Sequence, residues 1–91
     1  MQKITLDVEM IDGTIHEDLQ IVLADQIRFG DVRARHNWPS MEDDPIRFGA
    51  FLAYAAMCRL GLYDATKGFD EFVNEVATVA GDFGDTVDPT Q

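Results

Sequence analysis

The chain of 91 residues has one cysteine, three prolines, one tryptophan and two histidines. A lone Cys58 cannot close an internal disulfide, so no oxidised framework holds this fold and a reducing, cytoplasmic setting is expected. His16 and His36 fall in different elements and no second cysteine exists, so no metal-ligand spacing arises and no metal or other cofactor is expected. Long apolar runs are also missing. The stretch from Phe48 to Met57 falls well short of the roughly 20 residues that a spanning helix needs. Met1-Gln2-Lys3-Ile4-Thr5 lacks the continuous apolar core of a signal peptide, so a soluble, non-secreted protein is expected.

Bases are scarce: seven against 17 acids, for a formal charge of −10. That balance repels phosphate backbones and anionic membrane surfaces, so neither nucleic acid nor membrane is an expected partner. Catalytic patterns are absent too. Gly61 and Gly68 are isolated, so there is no phosphate-cradling loop, and no Ser, Cys or Thr nucleophile has a histidine at suggestive spacing. Glu42-Asp43-Asp44 lacks the glycine and the twelfth-position glutamate of a calcium loop. No enzymatic activity is expected.

What the chain does have is 46% hydrophobic and 10% aromatic residues, enough for one packed core. A chain this short buries only about two thirds of its unfolded surface, so association with a partner would add useful burial. The sequence divides into one α+β domain over 1–81 and an acidic tail over 82–91, with three aspartates and only Phe83 and Val87 apolar, read as disordered.

From Ile4 to Met10, apolar Ile4, Leu6, Val8 and Met10 alternate with polar residues, the period of a strand with one buried face. Asp12-Gly13 then suits a two-residue hairpin turn, and the second strand should run from Thr14 to about Val22. Such a turn pairs Ile4 with Ile21, Leu6 with Leu19 and Met10 with Ile15 on one face, leaving only Val8 opposite Glu17 as a mismatch. An isolated ribbon is marginal in water, so its apolar face must pack on the rest of the chain.

Three helices are expected to supply that packing in a bundle-like core. The first starts near Ala24-Asp25, with Asp25 as N-cap, and runs to His36 through Leu23, Ile27, Gly30 and Ala34. Trp38-Pro39 ends it. The second follows Glu42-Asp43-Asp44-Pro45, carries Phe48, Phe51, Leu52 and Ala55 at helical spacing, and stops at Gly61. The third spans Gly68 to Ala80 with Phe69, Phe72, Val73, Val76 and Val79 on one stripe, closed by Gly81.

Three features invite a functional role, each beside a structural one. Arg28, Arg33 and Arg35 concentrate positive charge before His36. They form either a docking patch for an acidic partner or a solvated face that offsets the helix C-terminus. Trp38 is either an interface anchor or a plug between helices. Phe48, Phe51, Tyr54, Phe69 and Phe72 are core by default, yet the last two helices carry more apolar surface than a hairpin obviously covers, which leaves room for an exposed groove.

The order Arg33-Ala34-Arg35-His36, Trp38-Pro39, Asp44-Pro45, Leu52-Ala53-Tyr54-Ala55-Ala56, Arg59-Leu60-Gly61 and Phe69-Asp70-Glu71-Phe72 resembles the tail assembly chaperones of long-tailed actinobacteriophages. The resemblance covers most of the chain. Its motifs are distinctive together and weak singly. It implies a non-enzymatic factor that binds and solubilises the tape measure protein while the tail tube polymerises. It also implies contact with the tail tube protein or a frameshifted longer form of itself, self-association, a place in the host cytoplasm and absence from the mature virion. No residue-level motif carries over; the arginines, Trp38 and the aromatic stripe are the contact candidates. Two other classes stay open: a small structural tail or head-tail component, and a nucleic-acid-binding regulator using the Arg28–Arg35 helix.

Overall fold

In the computed structural model of the protein, which describes residues 4–82, the elements run β1 (Ile4–Met10), β2 (Ile15–Ile21), α1 (Leu23–His36), α2 (Pro45–Arg59), a short 3₁₀ turn (Ala65–Lys67), α3 (Gly68–Glu75) and β3 (Val76–Asp82). The strands form one antiparallel sheet in the order β2-β1-β3. The fold is therefore α+β, as expected. Its core, however, is a three-stranded sheet covered on one face by helices, where a two-stranded hairpin beside a helix bundle was anticipated.

The hairpin keeps the expected register at one end only. Ile4 faces Ile21 and Leu6 faces Leu19, but beyond Leu6 the register shifts so that Val8 faces His16 and Glu9 faces Ile15. Two residues of β2, Glu17 and Asp18, oppose the single Asp7, which defines a β-bulge. Asp18 takes φ 57°, and its N–H donates to Asp7 Oδ1 at 2.8 Å. The bulge removes the Val8–Glu17 mismatch and turns Ile15 out to solvent. It also changes the turn. Met10 donates to the Thr14 carbonyl and Gly13 to the Met10 carbonyl, a three-residue loop with Gly13 at φ 95° in place of the anticipated two-residue one. Asp12 Oδ1 accepts from the Thr14 N–H at 2.9 Å and holds the loop.

The largest departure is the third helix, which ends at Glu75 and not at Ala80. Val76, Thr78 and Val79 are β-branched, so the segment suits a strand as well as a helical stripe. Tertiary context decides between them: β1 would otherwise present an unpaired edge. β3 fills that edge, setting Val79 against Val8 and Gly81 against Leu6. Gly81, read as a helix stop, is thus a paired strand residue. Asp82 also lies in β3, and the remainder of the segment read as a disordered tail, residues 83–91, lies outside the described residues.

The second helix follows its signals closely. Asp44 caps it, accepting from the Arg47 N–H at 3.1 Å, with proline in the first turn. At its end Gly61 adopts φ 78°, so Leu62 donates to the Met57 carbonyl and Gly61 to that of Cys58, a Schellman closure. α2 is the central element and touches β2, β3, α1 and α3. Phe51, Leu52, Ala53, Ala55, Ala56 and Met57 are buried together, because alanines let neighbours approach on nearly every side. Leu6, Val8, Leu19 and Ile21 supply the sheet side of the same core.

Asp25 is not the N-cap of α1. It sits at the third helical position, where Oδ2 accepts from the Val22 N–H at 3.0 Å, the reciprocal half of a capping box. It is fully buried and receives Arg59 Nε on Oδ1 at 3.2 Å and Arg59 Nη2 on Oδ2 at 3.1 Å. Arg59 Nη2 also donates to the Gln20 carbonyl at 2.8 Å. One guanidinium thereby ties the end of α2 to the start of α1 and to β2.

Candidate functional site

Every Phe, Tyr and Trp among residues 4–82 joins one aromatic cluster. Phe29 meets Phe48 edge-on with centroids 4.9 Å apart and reaches Phe51. Phe51 touches Trp38, Tyr54 and Phe69, and Tyr63 meets Phe72 edge-on at 5.0 Å. Offset and perpendicular pairs of this kind add roughly 0.5–1.5 kcal/mol each beyond their buried area. The aromatic stripe is therefore the cement between α1, α2 and α3. Phe51 and Phe72 are buried, while Phe48, Tyr54 and Phe69 pack against the core partly covered.

Trp38 packs between the helices, the structural role considered for it. Asn37 in the left-handed region lets the Trp38 N–H donate to the Arg33 carbonyl at 3.0 Å, which swings the indole back over Phe51 and Phe69. His36 stacks on it at 5.4 Å, and the Arg47 guanidinium lies 5.2 Å from its centroid. The indole remains half-buried and lines two clefts on either side of Phe69.

The arginines do not form one row. Arg28 and Arg35, seven residues apart, share a helix face and are exposed. Arg33 turns away and is half-buried, and its Nε is enclosed with no hydrogen-bond partner among the described residues. A continuous basic strip for phosphate contact is thus broken.

Burial governs the titratable groups of the cluster. It raises the Tyr54 hydroxyl and the Cys58 thiol above their ordinary values, with the neighbouring thiol adding to the first effect. It raises Tyr63 as well, helped by Glu75. Cys58 is half-buried and held in its neutral form, the opposite of an activated nucleophile. Among the described residues no group of three or more His, Cys, Asp or Glu could hold a metal ion, and no helix is long and apolar enough to cross a membrane.

A separate apolar groove lies between the first turns of α2, the second half of α3 and the inner side of β3. Small residues face small residues there: Gly49 and Ala50 on α2 oppose Ala77 and Gly81 on β3, leaving a groove floored by Leu6 and Phe72. Its rim is Ile46, 84% exposed, and Val73, 46% exposed. The groove continues past Ile46, Ala50 and Val73 into the cleft beside Trp38 and Phe69. Of the contact candidates from sequence, only Trp38, Phe69 and the floor residue Phe72 adjoin it. Ile46 and Val73 were missed because aromatic spacing drew attention to the buried stripe. The available signal was the isoleucine directly after Pro45, off that stripe and with Gly49 and Ala50 one helical turn further on.

No family model, curated protein or solved structure matches this chain.

Proposed function

We propose that this chain is a non-enzymatic protein-binding factor, and that its client is a tape measure protein kept soluble while a tail tube forms around it. The groove between α2, α3 and β3 carries the proposal. A rim of Ile46 and Val73 over a groove walled by small residues and floored by Leu6 and Phe72 is contiguous apolar surface of the sort that marks protein contacts. The formal charge of −10 supports a solubilising role, because strong net charge of one sign keeps a complex from associating further. The name of the client comes from the resemblance of the α1-to-α3 motifs to tail assembly chaperones. Work in the host cytoplasm and departure before the virion matures belong to the same proposal.

Co-expression tests it. A tape measure protein should move from the pellet to the soluble fraction when both are made, and Ile46→Lys with Val73→Lys should abolish the effect. A client that pellets equally with and without the chain refutes the proposal. Mass spectrometry of purified particles should find the chain absent; stoichiometric recovery there would make it a structural component.

A further inference from the structure

We infer that the outer edge of β3, with the groove beside it, accepts an extended segment of a partner protein by strand addition, and that this segment alternates bulky apolar residues with Lys or Arg. The inference deepens the protein-binding proposal and rests on it.

The two edges of the sheet differ. β2 is guarded by Glu17 and Asp18, by the bulge opposite Asp7 and by the positive φ of Asp18, all devices that discourage pairing. β3 has no charged residue and no proline from Val76 to Gly81. Its one irregularity falls near Ala77, so Thr78 to Gly81 pairs regularly with β1. The order β2-β1-β3 leaves no strand beyond it among the described residues.

The groove next to that edge decides the form of the occupant. Any chain that covers it also removes water from the free N–H and C=O groups of β3. A buried backbone group without a partner costs about 1–3 kcal/mol. An extended segment supplies partners and projects alternate side chains over the groove, whereas a helix offers the strand no backbone bonds. The small residues Gly49, Ala50, Ala77 and Gly81 leave the space for those side chains.

Charge decides the flanks. Asp44, Arg47 and Asp70 line the cleft that adjoins the groove at Ile46, Ala50 and Val73, and Asp12 and Glu75 line the hollow at the start of β3. Arg47 pairs with Asp44 at 3.2 Å and Lys67 with Glu75 at 2.8 Å. Asp70 and Asp12, in the two hollows that meet at Asn74, remain without a lysine or arginine in salt-bridge contact among the described residues. A second copy of this chain would bring another ten negative charges, so a cationic strand is the better complement.

The test uses the full ¹⁵N-labelled chain and a blocked heptapeptide of alternating Lys and Val, with Lys–Ser and Glu–Val heptapeptides as controls. Lys–Val should slow hydrogen exchange of β3 amides and shift the Ile46 and Val73 signals, and added salt should weaken it. Thr78→Lys, which puts a charge on the edge, should weaken binding by at least about tenfold; Ile46→Lys should do the same if the first variant unfolds by circular dichroism. Unchanged β3 exchange, equal binding of Lys–Ser or Glu–Val, or β3 protection that rises with protein concentration before any peptide is added would each overturn the inference. So would tighter binding of a cationic amphipathic helix with β3 amides exchanging freely. A client kept soluble in co-expression while the peptide ignores β3 overturns this docking mode alone. β3 protection beside an insoluble client supports the edge site and removes the tape measure assignment.

Discussion

At the scale of single residues, the Asp25–Arg59 pair is the sharpest commitment in the molecule. Its carboxylate is wholly buried while the arginine side chain keeps 28% of its surface, so the two ends respond differently to truncation. Arg59→Ala strands a buried charge and frees the Gln20 carbonyl. It should cost about 3 kcal/mol, read as a lowered urea midpoint. Asp25→Ala should cost less, since the guanidinium can turn to water, and Arg59→Lys should not restore stability because lysine cannot donate through two fixed nitrogens. Equal losses for the two alanine variants would show that the pair does not work this way. Cys58 and Tyr54 give a pH dependence of known sign. Burial lifts their folded values above the ordinary 9.0 and 10.0, so the folded chain holds these protons more tightly than the unfolded one. That stability is complete below the ordinary values and is lost as pH rises through the higher folded ones. Urea midpoints should therefore fall from about pH 9 upward, and Cys58→Ala should flatten the onset.

At the scale of elements, the hairpin and β3 carry separable predictions. Gly13 turns the loop at φ 95° with open space around it, so Gly13→Ala meets backbone strain and no clash. A loss of about 1–2 kcal/mol in thermal or urea unfolding is expected, and a neutral result would mean that the loop relaxes to another turn. β3 depends on Val79, which faces Val8 in the sheet interior. Val79→Asp should release the strand, and hydrogen exchange should then speed up along β1 and β3 while α2 amides stay protected. Loss of all protection together would show that sheet and helices open as one unit. The expected third helix failed at this scale: Phe69, Phe72, Val73 and Val76 satisfy a helical stripe, but the residues after Glu75 satisfy a strand equally well. Periodicity alone cannot choose between them over so short a span.

At the scale of the whole molecule, net charge is the property that reaches furthest. With 17 acids against seven bases, self-repulsion opposes the compact state, so the melting temperature should rise as sodium chloride screens it from about 10 mM to 300 mM. A melting temperature that falls over that range would place the dominant electrostatics in local pairs such as Asp25–Arg59. The sequence by itself determined what depends on neighbours along the chain: the alternation of β1, the Asp-Gly turn, the Asp44-Pro45 start and Gly61 stop of α2, the charge balance, and the want of a second cysteine. Local sterics, capping and composition act within a few residues, and these expectations come from that range. Tertiary structure decided the rest. It set the bulge at Glu17-Asp18, which removes the acidic Glu17 from its place opposite Val8 and puts His16 there. It converted Val76–Asp82 into a strand because β1 had a free edge, and it joined Asp25 to Arg59, 34 positions apart. The groove under Ile46 and Val73 belongs to this second group, since it lies between residues that adjoin only once β3 has paired with β1. Such features depend on contacts between distant parts of the chain, and burial and backbone hydrogen bonding, which no local pattern encodes, select among the arrangements that local preference leaves open.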